Sequence, residues 1–353
     1  MQFYKETAVQ GPLNYAGGKF ELLPQIFPYF PKKVSTFLDV FAGGWNVGIN
    51  VNADTIIFND INTNLVSMLK ALMCYSLPEL LSKIDMLCTT YNLIGAGQGL
   101  TDKQRFINNQ KGFDALKNLY NKKGSRFYRD PIVLYVLVGF SFQNQVKINP
   151  NGDFTNSVGT GLSMALRDKL INFVTELHNR HDRVLVSNLK FQDIDLSDPA
   201  MKNVFLYVDP PYLITNASYN KIWNDNTERE FLAWLDEADA RGLKFALSNL
   251  LSRDIQRKGE TSFTSEVNTI LDQWIKNNKH RYTMYNIQHS YGNIAVSVGN
   301  KLQNEKEILV VNYEPDNLEA AEPHPSQYPH PMGVGYVQMP RKPLTPLSAF
   351  KKK

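Results

Sequence analysis

The sequence predicts an α/β fold in which one mostly helical insert interrupts a parallel β-sheet. Short runs of β-branched and aromatic residues alternate with longer segments of helical periodicity, and this alternation favours a parallel sheet. A central stretch without such units predicts the insert, and a proline-rich end predicts a tail. With 353 residues and 43% hydrophobic content, the chain is long enough to bury a substantial core.

Five short runs predict the strands of the sheet. They cover residues 34–40, 55–59, 184–188, 204–208 and 243–248. Apolar residues at helical spacing predict helices over residues 63–73, 131–142, 166–178 and 227–240. The last of these helices opens with a capping-box spacing at Thr227 and Glu230. Residues 280–291 and 307–313 have no helical segment between them, which predicts antiparallel pairing at the end of the sheet.

The chain is predicted to have three parts. The sheet domain covers residues 1–75 and 183–314, the insert covers 76–182, and the tail covers 315–353. The insert is expected to contain a polar hairpin near residues 143–161, because Asn and Gly cluster there as in a turn. The proline-rich tail cannot bury a core and is predicted to be disordered.

Composition narrows the class of protein. The formal charge is +4, which is compatible with a polyanionic partner. No apolar run approaches the roughly 20 residues that span a bilayer, and the N-terminus has no apolar segment typical of a signal peptide. Cys74 and Cys88 cannot form a disulfide framework. We therefore expect a reducing, cytoplasmic location, in a bacterium or in the host of a phage.

The strongest functional signal follows the fourth predicted strand, as Asp209, Pro210, Pro211 and Tyr212. Ligands bind at the carboxyl ends of strands in α/β sheets. The Asp209 carboxylate and the Pro210 carbonyl can accept both N–H groups of an exocyclic purine amine and localise its lone pair, while proline holds them rigidly. Tyr212 offers a face for stacking an extruded base. The alternative is an acid-capped loop with turn prolines.

A glycine turn follows the first predicted strand, from Asp39 through Phe41 to Gly43. Glycine lets the backbone approach a ligand closely. Asp60 ends the second strand 21 positions after Asp39 (60 − 39), and an acid at this spacing binds ribose hydroxyls. The pair fits S-adenosylmethionine or a nicotinamide dinucleotide, but the absence of G-x-G-x-x-G argues against the dinucleotide.

A third motif covers residues 14–19, Asn-Tyr-Ala-Gly-Gly-Lys. It is similar to a phosphate loop, but it lacks the G-x-x-x-x-G-K-[ST] spacing. Phe20 stands where a Ser or Thr would reach magnesium. ATP binding is rejected on this ground.

Two groups inside the predicted insert are candidates for contacting DNA. The basic residues, interleaved with aromatic ones, are Lys122, Lys123, Arg126 and Arg129. They predict either an ordinary exposed charge cluster or a phosphate-contacting patch, and the two interpretations weigh about equally. The second group consists of hairpin asparagines, whose amides suit adenine edges; they are Asn144, Asn149 and Asn151.

Together and in this order, the motifs in residues 10–313 resemble the Dam and DpnM group of DNA adenine N6-methyltransferases, the D12 class with α-type motif order. The resemblance implies a Rossmann-like, S-adenosylmethionine-dependent methyltransferase sheet with an inserted DNA-recognition domain. It implies site-specific methyl transfer to adenine N6 in duplex DNA by base flipping. The transfer is expected to be a direct displacement that needs no metal.

The resemblance also implies roles for individual residues. The catalytic ones are Asp209, Pro210, Pro211 and Tyr212. The cofactor-binding ones are Tyr15, Gly17, Gly18, Lys19, Asp39, Phe41, Gly43, Asp60, Ile61, Asp193 and Asp209, with Asp193 at the adenine of the cofactor. Phe154 joins the DNA-contacting hairpin. The chain departs from the family at Trp45, where a second glycine is common.

Two other interpretations remain open from the sequence. The first is a methyltransferase for cytosine N4, RNA adenine or a protein glutamine, although those families usually have Ser or Asn in place of Asp209. The second is a catalytically silent nucleic-acid-binding module, against which the intact Asp39, Asp60 and Asp209 argue. Expected partners are double-stranded DNA and a cognate restriction endonuclease. A monomer is expected, with a dimer on DNA as the alternative, and no contact with a membrane.

Overall fold

The computed structural model describes residues 8–15, 17–96, 99–215, 223–257, 259–288, 301–316 and 349. The strands are β1 (Val34–Asp39), β2 (Ala53–Asn59), β3 (Val184–Ser187), β4 (Val204–Val208), β5 (Lys244–Gln256), β6 (Thr264–Val267), β7 (Thr283–Ile287) and β8 (Lys301–Val311). The α-helices are α1 (Leu23–Ile26), α2 (Thr63–Cys74), α3 (Leu77–Thr90), α4 (Asp102–Asn121), α5 (Pro131–Phe140), α6 (Met164–Asn179), α7 (Asp225–Ala240) and α8 (Thr269–Asn277).

All eight strands form one sheet, in the order β3-β2-β1-β4-β5-β8-β7, with β6 paired to the far end of β5. The pairs among β3, β2, β1, β4 and β5 are parallel. Strand β8 runs antiparallel between β5 and β7. The predicted Rossmann-like sheet is confirmed, as is the antiparallel pairing at its end.

Residue alternation along the parallel strands sorts the core onto two faces. Phe37 of β1 and Phe205 of β4 lie in the cluster that includes α2, α5 and α6, whereas Leu38 and Leu206 lie in the cluster that includes α7 and α8. Successive side chains of a strand point to opposite faces, so a strand buried on both sides is apolar throughout. This explains why the run of β4 has no polar residue.

Two local predictions were wrong in detail. Strand β5 continues to Gln256, well beyond the predicted end at residue 248, because its polar second half pairs with both β6 and β8. Helix α7 begins at Asp225 rather than at a Thr227 cap. The Asn224 side chain accepts hydrogen bonds from the backbone N–H groups of residues 226 and 227 and so caps the helix.

Helices α3 to α6 lie between β2 and β3 in the chain, inside the region predicted as an insert. Their buried residues belong to the same cluster as one face of the sheet. Phe173 of α6, for example, packs with its ring centroid 5.6 Å from that of Trp45 in the turn after β1. The helical region therefore shares a core with the sheet, and its role as a recognition domain stays a prediction.

The C-terminal tail lies outside the described residues, apart from residues 315, 316 and 349. Asp316 accepts a hydrogen bond from the backbone of Lys32, and Ala349 is buried in the cluster on the α7 face. The predicted disorder of the tail stays a prediction. Within the described ranges, no helix combines the length and the apolar character needed to cross a bilayer.

Phe30, before β1, provides a test of the core. It is fully buried, with ring centroids 5.0 Å from Phe205 and 5.5 Å from Tyr207. We expect Phe30→Ala to lower the free energy of unfolding by about 3–5 kcal/mol, because the lost burial leaves a cavity. Urea unfolding measures this. Phe142→Ala is the matched control, since Phe142 is exposed and its loss should change stability by less than about 0.5 kcal/mol.

Candidate active site

The order of the parallel strands reverses at the centre of the sheet, where β1 lies between β2 and β4. Connections leave the carboxyl ends of β1 and β4 in opposite directions, which opens a crevice for a ligand. Asp39 ends β1 and pairs in register with Tyr207 of β4, two residues before Asp209. The predicted acids after β1 and β4 therefore lie at one edge of the sheet.

Lys19 lies buried in this crevice, with only 3% of its side chain exposed. Its Nζ is 3.1 Å from Asp209 Oδ2 and 3.5 Å from Glu307 Oε1, and it donates to the Gly17 carbonyl at 2.7 Å. It also lies 5.0 Å from the centre of the Tyr212 ring. The structure thus joins the N-terminal motif to the Asp-Pro-Pro-Tyr motif through an ion pair.

Tyr212 is turned inward, with its ring beneath Lys19. Its hydroxyl is 3.0 Å from Asp209 Oδ1 and 3.1 Å from Glu307 Oε1. The hydroxyl therefore contacts both carboxylates, while Lys19 contacts the other oxygen of Asp209. The predicted role of Tyr212 as a stacking face for a base is not tested by this arrangement.

Glu307 was missed in the sequence. It lies on β8, is 1% exposed, and pairs in register with Leu250 of β5 and Ile287 of β7. The signal that could have identified it is a single acid at the start of the apolar run Ile308 to Val311. Such an acid is buried only where it has partners.

Burial shifts the protonation of the acids in the crevice. It raises the pKa of Asp209 to about 6, although the Lys19 ammonium lowers it, and the charge of Glu307 adds to the rise. Burial also raises the pKa of Asp39 well above its usual range, and the neighbouring Asp209 charge adds to this effect. Such shifts are common where acids serve a ligand.

Asp60 holds the glycine turn in place. Its Oδ2 accepts from the Gly43 backbone at 2.9 Å and its Oδ1 accepts from the Asn62 backbone at 2.8 Å. Burial raises the pKa of Asp60, and these two hydrogen bonds oppose the rise. Gly43 has φ of +47°, and a Cβ there would lie 2.9 Å from the Tyr15 ring. Tyr15 therefore packs directly on the turn, as only glycine permits.

Trp45 takes the backbone conformation that a glycine would adopt, with φ of +63°. Its side chain is 1% exposed and points into the core against Phe173. Burial of the indole offsets the cost of about 1–3 kcal/mol that a left-handed residue carries. The bulky residue therefore leaves the crevice side of the turn clear.

The remaining predicted cofactor residues lie on the neighbouring loops. Phe41 follows β1 and packs against Phe191 and Trp223, with ring centroids 6.1 Å and 5.8 Å away. Ile61 follows β2 and is 45% exposed. Asp193 is exposed on the loop after β3. The side chain of Asn188 joins the last two loops by donating to the carbonyls of residues 60 and 61.

The predicted DNA contacts fall into two sets. Lys122, Lys123 and Arg126 are exposed just beyond α4, and no described carboxylate lies within 4.0 Å of their charged nitrogens. In the other set the side chains of Arg129, Asn144 and Asn149 are bonded within the protein, whereas Asn151 is exposed and accepts only through its backbone carbonyl. Arg129 donates to Asn151 O at 2.6 Å, Asn144 donates to Gly139 O at 2.6 Å, and Asn149 Oδ1 accepts from the Asp153 backbone.

Phe154 lies in the core rather than on the hairpin surface. It is 1% exposed, and its ring centroid is 6.3 Å from that of Phe113 in α4. An isolated antiparallel bridge to Ile148 places Phe154 next to the turn of the predicted hairpin. The Phe154 side chain is therefore buried, and its part in a DNA-contacting hairpin stays a prediction.

A family model and several known proteins are similar to this chain in sequence. A family model described as "D12 class N6 adenine-specific DNA methyltransferase" matches residues 15–288. The chain is 37% identical over 315 residues to Type II methyltransferase M.FokI of Planomicrobium okeanokoites. It is 34% identical over 315 residues to Modification methylase StsI of Streptococcus sanguinis. It is 30% identical over 313 residues to Modification methylase LlaI of Lactococcus lactis subsp. lactis.

These alignments cover 86%, 87% and 86% of this chain, but 43% of each relative. The chain therefore spans less than half the length of the curated relatives it matches.

The raised pKa of Asp209 predicts that its ionised form lowers the free energy of unfolding of the protein. The folded-state pKa of about 6 lies above the usual 3.8, so folding is penalised once Asp209 ionises. The penalty is full above pH 6 and fades as the pH falls toward 4. We expect Asp209→Asn to raise the free energy of unfolding at pH 7.5 by about 1–3 kcal/mol, since one pKa unit corresponds to about 1.4 kcal/mol.

Urea unfolding at pH 7.5 and pH 4.5 measures this gain, which should shrink at the lower pH. The control is Asp54→Asn, at an exposed position of β2. A destabilised Asp209→Asn variant at pH 7.5 would contradict the assignment of a raised pKa.

Proposed function

The chain belongs to the D12 class of N6 adenine-specific DNA methyltransferases, and on this premise we propose that it methylates adenine N6 in duplex DNA. The single observation that carries the proposal is the position of Asp209. It follows a buried central strand at the strand-order reversal, and its carboxylate is held by Lys19 and Tyr212. The class favours this reaction over cytosine N4, RNA adenine or a protein glutamine as the target.

The crevice fits S-adenosylmethionine, the methyl donor that the family implies. The Gly43 turn leaves no room for a side chain beside Tyr15, so backbone can approach the methionine end. Asp60 lies at the end of β2, where it can accept from ribose hydroxyls. Phe41 and the exposed Ile61 offer apolar surface to an adenine ring, and Asp193 can accept from its amine. When bound, S-adenosylmethionine supplies an electrophilic methyl carbon on its sulfonium.

The residues of the chain prepare the amine for attack. The lone pair of adenine N6 is delocalised into the ring, and hydrogen bonds from its N–H groups to Asp209 and to the Pro210 carbonyl localise it. Pro210 and Pro211 restrict the backbone and hold both acceptors in place. Protonation makes Asp209 a weaker acceptor and puts a hydrogen on one of its oxygens, so activity is expected to fall below a pH of about 6.

The DNA is proposed to lie against the exposed basic residues beyond α4. Lys122, Lys123 and Arg126 are exposed, as phosphate-contacting side chains must be. A target base inside a duplex cannot reach Asp209, so it is proposed to flip out of the stack. The relatives named as modification methylases suggest a cognate restriction endonuclease as a functional partner.

Catalysis should depend on the Asp209 carboxylate. We expect Asp209→Ala to lower kcat by about 10²-fold or more, the range for losing one preorganised partner of developing charge. Binding of S-adenosylmethionine should persist, because Asp39 and Asp60 remain. Transfer of tritium from labelled cofactor to plasmid DNA measures kcat, and calorimetry measures cofactor binding. Asp54→Ala on β2 is the control, and near wild-type turnover of Asp209→Ala would refute the mechanism.

The basic residues should contribute uniformly to DNA affinity. Combined replacement of Lys122, Lys123 and Arg126 by Ala should weaken binding to every duplex and reduce the salt slope of log K by about 1 for each lost phosphate contact. Binding titrations at several salt concentrations measure both. Lys202→Ala, exposed at the opposite edge of the sheet before β4, is the control. Unchanged slopes would remove the patch from the interface.

A further inference from the structure

Glu307 is a buried carboxylate that none of the sequence motifs includes. Its strand, β8, is inserted between β5 and β7, and its side chain reaches Lys19 and Tyr212 in the crevice. It contacts the hydroxyl of Tyr212 and the ammonium of Lys19, at 3.1 Å and 3.5 Å. Both of these groups also contact Asp209, so the two carboxylates share the same two donors.

The two carboxylates compete for the hydroxyl hydrogen of Tyr212. A tyrosine hydroxyl has one hydrogen to donate, yet Tyr212 faces acceptors at 3.0 Å on Asp209 and 3.1 Å on Glu307. Lys19 has three hydrogens, of which one is directed to the Gly17 carbonyl. Its Nζ lies closer to Asp209 than to Glu307. Small movements therefore shift the Tyr212 hydroxyl from one carboxylate to the other, while the Lys19 ammonium lies within reach of both.

Asp209 already accepts from a hydroxyl and an ammonium, which makes it a weaker acceptor for the N–H of a target amine, although each oxygen keeps a free lone pair. Oδ1 faces the Tyr212 hydroxyl and Oδ2 faces Lys19. We propose that Glu307 is a positioning residue that takes over the Tyr212 hydroxyl and the Lys19 charge when a target amine reaches Asp209. Asp209 then stays ionised and turns its lone pairs to the amine, while the donors it releases remain satisfied in a buried site.

Removing the Glu307 charge would strengthen the hold of Lys19 on Asp209. The groups that face Asp209 are Lys19 from the N-terminal segment, Tyr212 from the loop after β4, Tyr207 from β4, Asp39 from β1 and Glu307 from β8. The negative charge of Glu307 raises the pKa of Asp209, so removing that charge lowers this pKa. A glutamine at this position keeps an acceptor for the hydroxyl but carries no charge.

The test compares Glu307→Gln and Glu307→Asp with Glu237→Gln, a control that removes one charge from the exposed face of α7. We expect Glu307→Gln to lower kcat by about 10–10²-fold, the range for misplacing a reacting group, with the Kd for cofactor little changed. The acid limb of its pH–kcat profile, near pH 6 in the parent, should move to lower pH. Glu307→Asp should keep the limb in place, because it keeps the charge.

A second readout does not depend on activity. The gain in unfolding midpoint caused by Asp209→Asn at pH 7.5 should be smaller in the Glu307→Gln background than in the parent, because part of the penalty on ionised Asp209 is already gone. This thermodynamic cycle isolates the coupling between the two acids. Circular dichroism establishes that each variant is folded.

The kinetic arm rests on the proposed function, and the two can fail separately. Parent protein that transfers no methyl group to DNA would refute the proposed function and leave the unfolding cycle as the test of Glu307. Active parent protein with an unchanged kcat and acid limb in Glu307→Gln would overturn the role of Glu307. An additive unfolding cycle would overturn it as well. If Glu307→Gln does not fold, Glu307→Asp is the test. A shift in the acid limb of its pH–kcat profile would overturn the role of Glu307.

Discussion

The burial of Lys19, Asp209 and Glu307 in one cluster is the constraint that the surrounding structure has to satisfy. Taking an ion out of water costs several kcal/mol unless close partners of opposite charge replace the solvent. The sheet supplies two of the partners, because β4 and β8 bring their acids to the same edge. The N-terminal segment supplies the third by turning Lys19 inward. The prolines after β4 restrict the backbone that carries Asp209.

Much of the candidate site could be predicted because the carboxyl ends of parallel strands lie at one edge of the sheet. A carboxylate directly after an apolar run must lie at the carboxyl edge, which located Asp39, Asp60 and Asp209. Strand β4 was also predicted with its observed bounds, because its apolar run is short, rich in β-branched and aromatic residues, and followed closely by two prolines. The family assignment likewise agrees with the resemblance that these motifs carry.

Pairing between distant segments explains what could not be predicted. The sequence of the second half of β5 is typical of a polar loop. It forms a strand because it pairs with β6 and β8. Glu307 reaches the crevice through the register of β8 against β5, which no local pattern encodes. Phe154 sits in a polar stretch, yet the packing of α4 draws it into the core. In each case tertiary contacts outweighed the local signal.

The order of β8 between β5 and β7 also constrains how the site comes into being. Lys19, Asp209 and Glu307 are separated by 190 (209 − 19) and 98 (307 − 209) positions, so the cluster is a very non-local contact, of the kind that slows folding. During synthesis, Asp209 emerges well before the strand that carries Glu307. A nascent chain can therefore have a nearly complete sheet whose reactive edge is still unfinished. Strand β8 thus couples completion of the sheet to completion of its chemistry.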